Sequence, residues 1–413
     1  MKASGGDRSP APRPAALDAL GEPRYRRLWL AGLCVNAARW MDFLVLGWLT
    51  LSLTNSPLMV GLAGFCRSAP MIALGPLAGV VADRFHRGRV MLSAQVVYLA
   101  SAVALALLFG TGLGRIGHLF VLEAVIGVAW TIDFPSRRAV LYTLVGPRRL
   151  TNAVALENVS QQGTKVLGPI LGGMLLPRVG PTGCYVGLAL LYVASLYLTA
   201  SLNRRVALPG LGGAEPALAS LAAGLREVRE RPAIRAVLSI TLLMNLLVFP
   251  YQQMLPVFAR DVLAVGPELL GLLVAMDGLG ALAGSLGLAA RRRLTDHARV
   301  FVGGSLLAAA LVIAFAWSPW YLLSVGLLFV IGLAESGFST MQATIVLLAA
   351  PEGTRGRAIG ILTACIGMFP VGTLWIGLAA SRLGAPAAVA ASTLLALALM
   401  LPVATRLVAR SRG

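Results

Sequence analysis

Residues 90–111 read Val90-Met-Leu-Ser-Ala-Gln-Val-Val-Tyr-Leu-Ala-Ser-Ala-Val-Ala-Leu-Ala-Leu-Leu-Phe-Gly-Thr111, a run without a single charged side chain. As an α-helix rising 1.5 Å per residue, such a run reaches roughly 30 Å, the thickness of the hydrocarbon core of a bilayer. It therefore reads as a membrane crossing, and its neighbours decide the fold. Working outward, eleven more apolar windows of similar length fill the chain, so that spans are expected at about 28–53, 57–82, 90–111, 117–141, 153–177, 182–202, 235–258, 267–290, 299–317, 320–349, 358–381 and 386–408.

The composition fits a chain dissolved in lipid. Of 413 residues 57% are apolar and 13% charged, and the mean hydropathy is +0.80. A water-soluble domain of this size would lack polar surface. The first window follows Arg24, Arg26 and Arg27. It is too long for a signal-peptide core and has no convincing small-residue cleavage site, so it reads as a retained span.

A net charge of +18 ordinarily raises nucleic acid as a partner, but the basic residues alternate with the spans. With the N-terminus inside, 28 of the 35 fall in the odd-numbered stretches, and only Arg115, Arg178, Arg260 and Arg382 lie on the other side. This positive-inside pattern places both termini in the cytoplasm. It accounts for the basicity through topology and attraction to an anionic inner leaflet, with no nucleic-acid role. Arginine is preferred almost throughout, Lys2 and Lys165 being the only lysines; this suggests a GC-rich bacterial genome and hence a bacterial cell inner membrane. The partner expected from this distribution is the lipid bilayer.

Cys34, Cys66, Cys184 and Cys365 are scattered singly, and His86, His118 and His297 lie far apart. No disulfide, metal site or cofactor is expected from such spacing.

The chain also repeats itself. A shift of 210 residues lays Pro57 on Pro267 and Gly61 on Gly271, and a shift of 205 lays Ile126-Gly127 on Ile331-Gly332 and Pro181 on Pro386. Two nearly equal offsets imply two six-span halves in the same orientation. The expected organisation is an N-terminal arm (1–27), a six-helix bundle (28–202), a linker (203–234), a second six-helix bundle (235–408) and a short tail (409–413). Residues 1–22, rich in Pro, Gly, Ala and charge, read as a disordered arm. In the linker, Leu218, Leu221, Leu225 and Val228 recur at helical spacing opposite Arg226, Glu227, Arg229 and Glu230, which predicts an interfacial amphipathic helix.

Between spans 2 and 3 stands Gly79-Val-Val-Ala-Asp83-Arg84-Phe-His-Arg87-Gly-Arg89. A helix end closed by a carboxylate and a cationic cluster can bond the N-terminus of a neighbouring helix and pair with a nearby acid. This stretch resembles the cytoplasmic signature of the major facilitator superfamily and falls where that family has it. The resemblance implies an all-α integral membrane fold of twelve transmembrane helices in two pseudo-symmetric six-helix bundles. It also implies a latch, with Asp83 meeting the start of span 11 near Gly356-Arg357 and Arg87 or Arg89 pairing with Asp133, that stabilises the outward-facing state. His86 replaces the usual glycine, and the second copy, Ala289-Ala-Arg-Arg-Arg293, lacks the acid, so the latch is expected on one side only.

In span 5, Gly168-Pro169-Ile-Leu-Gly172-Gly173 resembles the antiporter motif of exporters in the superfamily; plain glycine packing is the alternative. The run from Leu150, with Arg355-Gly-Arg-Ala-Ile-Gly360 and Pro250 to Arg260, is similar to the drug:proton antiporter branch that includes macrolide efflux proteins and the enterobactin exporter. The function implied is proton-coupled export of a small organic molecule, a drug or siderophore-like metabolite, by alternating access. Proton-coupled uptake of a nutrient is the alternative within transport. A membrane enzyme or receptor, the alternative outside it, has no nucleotide loop, metal spacing or extramembrane catalytic domain to support it.

Charge inside a span is costly and marks function or a specific pair. The acids so placed are Asp42, Glu123, Asp277 and Glu335, and the bases Arg39, Arg67 and Lys165. In the superfamily spans 1, 4, 7 and 10 line the cavity, which favours Asp42 and Glu335 first for proton and substrate handling, then Glu123 and Lys165. Asn36, Arg39 and Asp42 form a polar stripe on one helical face, which serves either as a site or as a lock between spans 1 and 5. Glu157, Gln161 and Lys165 recur every four residues, and Lys165 is read either as a coupling residue or as a fixed counter-ion. Asp277 is read as structural, bonding a neighbour. Asn245 and Gln252 of span 7 complete the polar candidates, with Trp130, Phe369 and Trp375 as aromatic walls or lipid-facing packers.

Overall fold

The computed structural model describes residues 15–203, 231–290, 296–351 and 354–410. All twelve apolar windows fall on helices. In lipid every backbone N–H and C=O has to find its partner within the chain, and a helix does this locally. The helices are α1 (Pro23–Thr54), α2 (Pro57–Arg84), α3 (Arg87–Gly110), α4 (Ile116–Gly146), α5 (152–179), α6 (181–202), α7 (Pro232–Val262), α8 (Pro267–Ala290), α9 (His297–Ala316), α10 (Tyr321–Ala349), α11 (Arg355–Leu383) and α12 (Ala385–Arg410).

Residues 152–202 run 51 residues as one apolar stretch, about twice the length that a single crossing needs. The chain turns back inside it at Gly180, where φ is 63° and ψ −176°, a conformation that a side chain would strain. Elsewhere the ends obey ordinary chemistry. Pro23 and Pro232 occupy first turns, where the missing N–H costs nothing. Asp296 caps α9 by accepting from the Arg299 amide at 3.0 Å. Asn55 ends α1 in the left-handed conformation with φ 51°.

Two helices are interrupted. In α7 the ordinary winding gives way to π turns at Met244–Val248 and Phe258–Val262, around Pro250 and Pro256. In α11 it breaks between Ile366 and Phe369, just before Pro370. Proline removes a donor and crowds the preceding turn, and both breaks lie beside the cavity described below.

The two halves meet through backbones that glycine allows to come close. A Cβ on Gly61 of α2 would lie 2.9 Å from the Gly377 Cα of α11, and one on Gly173 of α5 would lie 3.2 Å from the Gly271 Cα of α8. Nearby, Gln253 Nε2 donates to the Val60 carbonyl at 3.1 Å. Arg260 donates to the Leu51 carbonyl at 3.1 Å and to Asn55 Oδ1 at 2.6 Å. These contacts all lie toward the end of the bundle that is poor in arginine.

One expectation needs correction. Residues 15–21, assigned by composition to a disordered arm, form a short 3-10 helix. Its Ala19 is fully buried, with its amide donating to Asn152 Oδ1 at 3.0 Å, and Asp18 pairs with Arg149 at 3.0 Å. The composition could not show that the chain beyond α4 offers these partners. The amphipathic helix expected in the linker, the second signature copy at 291–293 and residues 1–14 lie outside the described residues.

Candidate functional site

Two clusters of buried charge occupy the interior. In the first, Arg67 of α2 reaches between two carboxylates. Its Nη1 pairs with Asp42 Oδ2 of α1 and, at 3.2 Å, with Glu123 Oε2 of α4. Its Nη2 donates to the Arg39 carbonyl at 3.0 Å. The planar fork of arginine suits this shared geometry, which a lysine point charge would not reproduce. Gly127 makes it possible, because a Cβ there would meet the Arg67 carbonyl carbon at 3.0 Å. The second oxygens, Asp42 Oδ1 and Glu123 Oε1, are buried with no hydrogen-bond partner among the described residues.

In the second cluster Lys165 Nζ of α5 pairs with Asp277 Oδ2 of α8 at 2.6 Å. This bond ties the first half of the chain to the second. Gly278, next to the acid, allows the approach, since a Cβ there would sit 3.2 Å from the Lys165 carbonyl carbon. Tyr251 of α7 directs its hydroxyl toward Asp277 Oδ1 at 3.5 Å. Glu335 of α10 lies within electrostatic range of Lys165 and Asp277, beside Tyr251 and Gln252. Its Oε1 is buried without a hydrogen-bond partner among the described residues.

Lys165 and Glu335 line a cavity of about 300 Å³ between the halves. The amides of Gln162, Asn245, Gln252 and Gln342 and the rings of Phe249, Phe338 and Phe369 complete its wall. Such a mixture of apolar faces with a few convergent polar groups is the usual make-up of a small-molecule site.

Of the candidates read from the sequence, Lys165, Glu335, Asn245 and Gln252 share this cavity, whereas Asp42 and Glu123 belong to the Arg67 cluster. The polar stripe of α1 divides. Asp42 turns to Arg67 of α2, while the Arg39 guanidinium lies 3.9 Å from the ring centroid of Trp130 on α4. Asn36 is buried on the same helix. Neither charged member of the stripe therefore locks α1 to α5. Phe369 does line the cavity, but Trp130 carries Arg39, and Trp375 is 47% exposed on the outside of the bundle.

Arg67 and Asp277 rank low in a reading of spans, yet they are the hubs of the two clusters. A signal was present: the 210-residue shift lays Arg67 on Asp277, so the repeat marks both as occupying one depth in the two halves.

At the basic end α2 runs through Gly79, Asp83 and Arg84, whose side chains lie outside the described residues, and α3 begins at Arg87. Asp133, expected to meet Arg87 or Arg89, is fully buried and is bridged by Arg137 of its own helix at 3.3 Å. Spacing of four on α4 makes this pair local. The glycines of the α5 motif sit at a three-helix crossing. A Cβ on Gly168 would meet Met41 N of α1 at 2.8 Å, one on Gly172 would meet the Met41 carbonyl oxygen at 3.1 Å, and Gly173 faces α8. The Pro169 carbonyl lies 2.5 Å from a Cβ built on Gly271.

Comparison with known proteins agrees with this architecture. The chain is 21% identical over 84% of its length to the staphyloferrin A transporter of Staphylococcus aureus, covering 86% of that protein. It is 24% identical to the multidrug efflux pump Tap of Mycolicibacterium fortuitum, over 80% of this chain and 83% of the other. It is 28% identical to the enterobactin exporter EntS of Shigella boydii, over 83% and 81% respectively. Among solved structures, a POT family transporter in complex with a thioalcohol-conjugated peptide superposes with a TM-score of 0.77 at 12% identity, covering 92% of this chain and 95% of that one. The family described as transmembrane secretion effector matches residues 15–411. A multi-pass helical membrane protein with the major facilitator fold, this chain belongs to the transmembrane secretion effector family of transporters.

Proposed function

We propose that this protein is a proton-coupled exporter of small organic molecules that works by alternating access. It acts as a monomer in a bacterial inner membrane, with both termini in the cytoplasm. The observation that carries the proposal is the cavity between the halves, lined by Lys165 and Glu335 beside the Lys165–Asp277 bridge that joins them, with one buried carboxylate oxygen of Glu335 left without a hydrogen-bond partner among the described residues.

Removing one partner of a buried pair costs about 3–5 kcal/mol, while moving a two-state equilibrium from 1:99 to 99:1 takes about 5.5 kcal/mol. Protonation of Glu335 or Asp277 therefore acts on the balance of states with energy of the right order, and substrate entering the same cavity acts in the opposite sense. Export is supported by relatives that carry the names exporter and efflux pump. With the arginine-rich end inside, the closed contacts at the other end correspond to an inward-facing state. The signature residues Gly79, Asp83, Arg84, Arg87, Arg89 and Asp133 are assigned to the latch that holds the outward-facing state. Asp42 and Glu123, clasped by Arg67, form the second carboxylate pair available for protons.

The test is recovery of a quenched pH dye in inside-out vesicles with an acidic interior. Macrolides, tetracyclines, lipophilic cations and catecholate siderophores are added one at a time. A compound that dissipates the gradient only in vesicles holding this protein supports the proposal and reveals the substrate class. If Asp42→Asn and Glu335→Gln both leave that proton-driven transport intact, the assignment of coupling residues is wrong.

A further inference from the structure

Beside the Arg67 cluster, within the first half, lies a second cavity of about 50 Å³ that shares no lining residue with the cavity between the halves. Arg39 of α1 and Arg67 of α2 line it, with Ser68, Tyr98 of α3, Trp130 of α4 and Tyr192 of α6. Its lining contains no carboxylate among the described residues.

The two arginines differ in what they meet. Arg67 is taken up by Asp42, Glu123 and the Arg39 carbonyl. The Arg39 guanidinium lies on the Trp130 ring, and it finds no hydrogen-bond acceptor among the described residues. A ring satisfies the flat face of the cation and leaves the N–H groups at its edge unanswered. The electrostatic neighbours of Arg39 are Arg67, Tyr98 and Tyr192, one cation and two phenols. The Tyr98 hydroxyl is itself buried without a hydrogen-bond partner among the described residues, while its ring stacks on Tyr192 at 5.3 Å. Asp133, an acid in electrostatic range of Tyr98, is bridged by Arg137 and does not line the cavity. Asp83, whose side chain lies outside the described residues, stands more than four turns beyond Arg67 on α2, about 24 Å along the helix.

Buried donors without acceptors are costly. Water would supply acceptors but no charge, whereas an anion supplies both to Arg39 and accepts from Tyr98 as well. The volume sets the size of that anion. About 50 Å³ exceeds the roughly 30 Å³ that one water takes in the liquid and falls far short of the 300 Å³ between the halves. It suits a small ion and excludes an organic cargo.

We propose that this cavity binds one compact monovalent anion, of the size of chloride or formate, held by the Arg39 guanidinium and the Tyr98 hydroxyl beside Arg67. The site goes beyond the transport proposed above and does not depend on it. Its occupant lies against the guanidinium that clasps Asp42 and Glu123, so occupancy bears on the charge of that cluster.

The experiment is thermal unfolding of the full-length protein, purified in detergent and sodium gluconate without chloride. Chloride or formate is then exchanged for gluconate at constant ionic strength. Either small anion is expected to raise Tm by about 2 °C, saturably, as a ligand of the native state does. Arg39→Gln should abolish the rise. Tyr98→Phe, which keeps the ring and both arginines, should raise the half-saturating concentration about tenfold, and it serves if Arg39→Gln fails to fold. Arg178→Gln, at the arginine-poor end, should respond as the unaltered protein does. A flat response to both anions would mean that the cavity holds water only and would overturn the proposal. A rise that both site variants retain unchanged would overturn it too, because charges elsewhere would then account for the effect.

Discussion

Arg67 shows what a single buried side chain does in this protein. Among the described residues it is the one cation paired with both Asp42 and Glu123, and each acid already has one oxygen without a hydrogen-bond partner there. Truncating the arginine would leave two carboxylates in a medium that cannot solvate them. Arg67→Ala is therefore expected to destabilise the protein by about 3–5 kcal/mol, read as a marked fall in the thermal midpoint in detergent. The triple variant Arg67→Ala/Asp42→Asn/Glu123→Gln removes the charges together and should recover most of the loss. Recovery of nothing would mean that the arginine matters by its shape and not by its charge. A close reading of the spans finds the three residues, but their pairing depends on where α2 sits relative to α1 and α4.

At the scale of elements, the crossings between the halves depend on glycine. At the contact of α2 with α11, Gly61 faces Gly377 with no room for a side chain, whereas Gly75 further along α2 faces open space. Overpacking a contact of this kind costs about 1–3 kcal/mol, and in the proposed alternating-access cycle that cost would fall on the arrangement in which the two glycines meet. Gly61→Leu should abolish transport while the protein still folds. Gly75→Leu should leave transport within twofold. Equal transport by the two variants would show that this crossing is not part of the cycle. The glycines of α5 follow the same rule, since Gly168 and Gly173 place α5 against α1 and α8 at once.

For the molecule as a whole, the proposed cycle requires the contacts at the arginine-poor end to part. Arg260 of α7 reaches across to Leu51 and Asn55 of α1. Its side chain is 28% exposed, so it contributes modestly, at about 1–2 kcal/mol for charge-assisted hydrogen bonds in partial contact with water. Arg260→Ala should then raise the population open at this end about fivefold or more. Spin labels on cysteines at Leu58 and Leu263, in a background without the four native cysteines, would read this as growth of a longer distance. An unchanged distance distribution would remove Arg260 from the gate.

The sequence by itself determined the solvent and the class of fold. Hydropathy over twenty residues and the alternation of arginine are properties of the chain that packing cannot change. It also revealed the two halves, through offsets that proline and glycine preserved, and it located the intramembrane charges one by one. Tertiary structure alone decided their partners. Asp42 and Arg39 stand three apart on one helix, yet one turns to Arg67 and the other to Trp130. Lys165 meets Asp277, more than a hundred residues away. In a bilayer nearly every position is apolar, so helical periodicity says little about which face meets which neighbour. The choice falls to close backbone contacts such as those at Gly127 and Gly278, and these exist only once the helices are assembled.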